Sequence, residues 1–103
     1  MTTITAADLA ALGADATIVD VREPDEYAGT RVHGATNIPL GTLPARLADL
    51  PRDRPLYVMC LSGGRSARAT AFLVGEGFDA VDIEGGITRW YQAGFPVETG
   101  VAA

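Results

Sequence analysis

The sequence holds one cysteine and one histidine in 103 residues. One cysteine excludes an internal disulfide and any multi-thiolate metal centre, and one histidine excludes a histidine cluster. No metal site is expected, and whatever Cys60 does is done without a second thiol on the same chain. Long apolar runs are also missing. Asp, Arg, Glu or Gly interrupts every hydrophobic stretch before the roughly 18 to 20 residues that crossing a bilayer needs, so no membrane span is expected. Met1 to Ala11 has no basic cluster followed by an apolar core, and Asp8 falls where such a core would lie; a cytoplasmic location is expected. Positive charge is scarce. Eight basic residues against thirteen acidic ones leave a net charge of −5, and the basic residues are scattered singly, without the basic face that a nucleic acid partner requires.

What is present reads as a packed globule. The apolar share of 48% and charged share of 20% are ordinary for a folded chain, and the length suits a single domain over residues 1–103. Short β-rich runs stand at Ala16 to Val21, Ala35 to Leu40, Leu56 to Cys60 and Ala80 to Ile83. Helix-compatible segments follow them at Pro24 to Gly29, Leu43 to Leu50, Ser66 to Glu76 and Ile87 to Ala93, and Thr5 with Asp8 opens a first helix over Ala6 to Leu12. Ile18-Val19, Leu56 to Met59 and Ala80-Val81 are apolar at consecutive positions, as in strands covered on both faces. Strand and helix in alternation then predict an α/β fold, a three-layer sandwich with a mainly parallel central sheet flanked by helices. In such folds the ligand site lies beyond the carboxyl ends of the strands.

Cys60 closes one of these strands and is followed by Leu61, Ser62, Gly63, Gly64, Arg65 and Ser66. The two glycines let the loop curl with its amides turned inward, forming an anion-binding nest, and the helix that starts near Ser66 aims its positive end at the same place. Such surroundings favour a thiolate. A lone cysteine ending an apolar strand is more often a small buried hydrophobe. Packing alone, however, does not ask for two glycines, two hydroxyls and an arginine directly after it.

Four stretches together resemble the rhodanese sulfurtransferases: Val19 to Tyr27, Gly34 to Leu40, Cys60 to Ser66 and Glu84 to Trp90. The resemblance implies a rhodanese-like fold and a sulfane sulfur carried as a persulfide on Cys60, cradled by the loop from Leu61 to Ser66. It implies no cofactor, a small-molecule sulfur donor, and a thiol or protein acceptor. Related phosphatases and arsenate reductases use a longer loop, wide enough for a tetrahedral oxyanion; here four residues, Leu61 to Gly64, separate Cys60 from Arg65. A rhodanese-like binding or sensing module without turnover is the other alternative. The sequence departs from the family pattern at Arg31 and His33, which stand at the usual His and Pro positions. Leu61 also replaces the basic residue that many thiosulfate-using members carry after the cysteine, which argues against thiosulfate as the physiological donor.

Asp20 and Arg22 end a strand at the same sheet edge as Cys60. Two roles are open to them: support of the site, with Asp20 holding the loop through Arg65 or the loop amides and Arg22 adding positive potential near the pocket, or a structural ion pair. Arg65 either ties the loop down or touches substrate. His33 is the one candidate base, and a thiolate needs none. Trp90 and Tyr91 are expected in the core, with either able to wall the pocket. Gly85 and Gly86 are expected to allow a sharp turn between strand and helix.

Overall fold

The structure is a computed structural model and describes residues 1–100. Five parallel strands form the central sheet in the order β1-β6-β5-β2-β4: β1 Thr3–Ile4, β2 Thr17–Asp20, β4 Thr36–Asn37, β5 Leu56–Met59 and β6 Ala80–Ile83. Two short strands, β3 Thr30–Arg31 and β7 Glu98–Thr99, pair antiparallel outside it. The helices are α1 Ala6–Leu12, α2 Pro24–Gly29, α3 Gly64–Gly75 and α4 Gly86–Gln92.

Alternation along the strands builds the layers, because successive side chains leave a strand on opposite faces. Val58 and Cys60 join a core with Leu43, Leu50, Leu73 and Phe78 on the α3 side. Met59 joins Leu9, Ile83, Ile87 and Trp90 on the side of α1 and α4. The sheet is therefore covered on both faces, as its consecutive apolar runs predict. Fully buried Leu9, Leu43, Leu56 and Leu73 each contribute about 1.5–3 kcal/mol of burial.

Helix starts follow local chemistry. The Thr5 hydroxyl accepts the Asp8 N–H at 3.1 Å and caps α1. Pro24 opens α2, and the Glu26 carboxylate reaches back to the Glu23 N–H at 2.9 Å. The helix predicted over Leu43 to Leu50 is instead a 3₁₀ segment, Leu40–Asp49, with Pro44 inside it. Proline has no N–H and its ring obstructs the preceding turn, so a regular α-helix does not run through it. No helix among the described residues is long and apolar enough to cross a membrane.

Candidate active site

Strand β5 is central in the sheet, and Cys60 follows its last residue at the carboxyl edge. The thiol is free and almost enclosed, with 1% of the residue exposed. Its Sγ accepts the Gly63 N–H at 3.0 Å. Gly63 holds φ +124°, a conformation side chains rarely adopt, and that twist brings its amide onto the sulfur. Helix α3 begins at Gly64, so its first amides and positive end face the same loop.

The outer side of the loop is held by α4. Cys60 O accepts the Ile87 N–H at 2.9 Å and Leu61 O accepts the Thr88 N–H at 3.0 Å. In a trans peptide the N–H points opposite to the C=O, so these bonds turn the amides of Leu61 and Ser62 away from α4. Gly86 makes the approach possible: at φ +59° a Cβ there would lie 2.3 Å from Cys60 O and 2.6 Å from Leu61 O. The turn expected at Gly85-Gly86 is present, and it also presses a helix start against the Cys60 loop.

Arg65 ties the loop to α2. Its Nη1 and Nη2 donate to Glu26 Oε1 and Oε2 at 2.6 and 3.0 Å. That guanidinium, with help from the Glu23 N–H, holds the Glu26 carboxyl down to about 2 against its burial. Glu26 therefore opens its own helix and anchors the loop. Asp20 does not reach Arg65; its carboxylate accepts Arg22 Nε at 3.0 Å and Nη2 at 2.8 Å, with both residues buried. Arg22 also donates to Glu26 O at 3.3 Å and Thr30 O at 2.7 Å, so the pair holds the middle and the C-terminal end of α2 and lends the site no free charge. Asn37 Nδ2 completes the clamp on Asp20 O and Arg22 O.

A cysteine cradled between a helix start and a glycine turn, at the edge of this sheet, has known counterparts. A family model for the rhodanese-like domain matches residues 5–93. The chain belongs to the rhodanese-like family. A sulfurtransferase of Allochromatium vinosum is 36% identical over 84 residues, 81% of this chain and 78% of the relative. The thiosulfate sulfurtransferase GlpE of Pseudomonas entomophila is 36% identical over 85 residues, 82% of this chain and 77% of the relative. Among solved structures, a rhodanese-related protein from Thermoplasma volcanium superposes with a TM-score of 0.91 at 40% identity, covering 95% of this chain and 98% of that one.

Within this rhodanese-like site the other predicted residues are placed as follows. Leu61 is 46% exposed, and Ser62 and Gly64 are exposed at the rim. Ser66, expected to bind substrate, is fully buried. Its Oγ lies 3.4 Å from Cys60 Sγ and donates to Asp82 Oδ1 at 2.6 Å. Beside the loop opens a cleft of about 640 Å³, lined by Leu61, Glu26, Ile87, Tyr91 and Val97 among others. Tyr91 is 66% exposed on that cleft, whereas Trp90 packs in the core with Nε1 donating to Pro96 O at 2.8 Å. His33 and Arg31 lie with Glu98, at 3.0 and 3.5 Å, and neither lines the cleft. Among the described residues no group of three or more His, Cys, Asp or Glu is placed to hold a metal ion.

Sequence reasoning missed the site roles of Glu26, Asn37 and Asp82. Asp82 did carry a signal, a carboxylate inside the covered strand Ala80–Ile83, because a charge in such a strand needs a reason.

Proposed function

We propose that the chain moves sulfane sulfur through a persulfide on Cys60. The observation that carries this reading is the enclosed Cys60 sulfur receiving the Gly63 amide at 3.0 Å beside the start of α3, in a chain whose relatives include proteins named sulfurtransferase. In the first half-reaction Sγ attacks the outer sulfur of a sulfane donor. The bond from that sulfur to the rest of the donor breaks, S–S in thiosulfate or a polysulfide and C–S in 3-mercaptopyruvate, and its electron pair leaves on the departing fragment. In the second, an acceptor nucleophile attacks the outer sulfur of the persulfide, and the Cys60 thiolate leaves. Inward amides of the loop from Leu61 to Arg65 cradle the transferred atom. The chain has no other cysteine, so the acceptor comes from outside: cyanide in the test tube, a low-molecular-weight thiol or a protein thiol otherwise. The reaction asks for no metal or organic cofactor.

Incubation with thiosulfate, 3-mercaptopyruvate or an organic polysulfide, followed by intact mass measurement, is expected to add one sulfur atom that cyanide removes as thiocyanate. Cys60→Ser is expected to keep the fold and accept no sulfur. Aryl phosphate hydrolysis is expected to be absent, because the loop is short for a phosphoryl group. Hydrolysis of the ester without sulfur transfer from any donor overturns the reading. Failure of both assays points to a binding module.

A further inference from the structure

Asp82 sits where a covered strand ordinarily carries an apolar side chain. It is the third residue of β6, 8% exposed, in register with Val58 of β5 and Thr3 of β1. Packing does not call for a carboxylate there. Among the described residues no Arg or His is paired with it. What it does have is the Ser66 hydroxyl at 2.6 Å. Ser66 in turn lies 3.4 Å from Cys60 Sγ and 3.1 Å from Gly63 O. A hydroxyl carries one proton, and the closest, charged acceptor takes it. The line therefore runs from the Cys60 S–H to Ser66 Oγ, and from the Ser66 O–H to Asp82 Oδ1.

We propose that Asp82 is the proton store of the Cys60 nucleophile, reached through Ser66. As Sγ forms its bond to sulfur, its proton passes to Ser66 Oγ while the Ser66 proton passes to Asp82. Net charge along the line is unchanged, and no external base is needed. While the persulfide stands, Asp82 holds the proton. When the acceptor removes the outer sulfur and the pair returns to Sγ, the proton comes back by the same route. Asp82 touches neither donor nor acceptor and is a positioning residue that acts through Ser66. Burial keeps its carboxyl above the ordinary carboxylate range; the Ser66 hydroxyl opposes that rise and Glu84 adds to it, so the group is readier than an exposed aspartate to take a proton. The other charges facing the line are already engaged. Glu84 accepts Thr3 Oγ1 from β1, Arg65 on α3 is paired with Glu26 of α2, and Arg22 is paired with Asp20.

The proposal rests on Cys60 as the nucleophile, but its test reads proton handling at the thiol and is separate from sulfur transfer. The alkylation rate of Cys60 by iodoacetamide, a small neutral reagent, is measured across pH in the wild type, Asp82→Asn, Ser66→Ala and the double variant. With one cysteine in the chain, every alkylation event reports Cys60. Asp82→Asn is expected to lose reactivity by about ten-fold near neutral pH, the size of a shift of one pH unit, and to recover at alkaline pH, where solvent takes the proton directly. Ser66→Ala is expected to show the same alkaline shift and the double variant no more than either, because the two act as one unit. A through-space effect of the Asp82 charge predicts the opposite, an acid shift in Asp82→Asn. An acid shift, an unchanged profile or a uniform loss at all pH values overturns the proposal. Should Asp82→Asn not fold, Ser66→Ala alone decides, since it leaves the carboxylate in place and cuts the line.

Discussion

At Gly86 a hydrogen is all that the space allows. A methyl group would meet the carbonyl oxygen of Cys60 at 2.3 Å and that of Leu61 at 2.6 Å, and both atoms are backbone, with little freedom to retreat. Gly86→Ala is therefore expected to push α4 off the loop, lose the Ile87 and Thr88 amide bonds, cost roughly 1–3 kcal/mol and abolish sulfur loading of Cys60. Thermal unfolding and intact mass after donor treatment check both parts; loading at the wild-type rate counts against a positioning role for α4. The placement of Cys60 against a glycine loop and a helix start was legible because its surroundings are local: the glycines, hydroxyls and arginine that frame it follow directly in sequence. Glu26 and Asp82 were not legible as its supports. They lie 34 and 22 residues from Cys60 in sequence, and only the Arg65–Glu26 bridge to α2 and the parallel pairing of β6 with β5 bring them near. Of the two aromatics expected in the core, with either able to wall the pocket, Trp90 takes the first place and Tyr91 the second.

At the level of elements, α2 works as a bracket. Arg22, held by Asp20 at the end of β2, ties down the Glu26 and Thr30 carbonyls in the middle and at the C-terminal end of the helix, and Glu26 reaches across from its first turn to Arg65. The Glu26 carboxyl, held at about 2 in the folded chain against an ordinary 4.5, takes up protons less readily when folded than when unfolded. Its contribution is therefore complete above about pH 4.5 and is lost as pH falls toward 2. Both partners are roughly a third exposed, so screening reduces the contribution to about 1–2 kcal/mol. Glu26→Gln is expected to lower stability by that amount at neutral pH and to unfold with a flatter acid limb between those values; identical acid limbs in denaturant melts would remove Glu26 from the tether. The sandwich and four of its parallel strands were legible, since runs of consecutive apolar residues and a capped or proline-led helix start carry their own signal. Strands β1, β3 and β7 were not, because two residues form no period; β4 is as short, Thr36–Asn37, and was read only as part of the longer β-rich run Ala35 to Leu40, most of which forms no strand. The 3₁₀ segment at Leu40–Asp49 shows the same limit: its apolar spacing suits a helix, and Pro44 decides which kind.

For the whole molecule, charge decides how a donor arrives. The chain carries a net −5, and two cations of the site, Arg22 on the cleft wall and Arg65 in the loop, are each paired with a carboxylate. Once docked, an anionic donor meets short-range amides, but during approach it meets a negative field. Salt screens such a field with a Debye length of about 10 Å at 0.1 M, so screening relieves repulsion and should speed the encounter. The kcat/KM for thiosulfate, a dianion, is therefore expected to rise as sodium chloride increases from low to physiological concentration, while a neutral organic polysulfide shows little change. Steering by a positive mouth predicts the reverse, a fall with salt for the dianion alone. A fall would mean that Arg22 and Arg65 present unneutralised charge at the cleft despite their pairing with Asp20 and Glu26. A further comparison locates the field: Leu61→Arg adds one cation at the rim, 46% exposed in the present chain, and should raise the low-salt rate with thiosulfate and flatten its salt dependence, leaving the neutral donor unaffected.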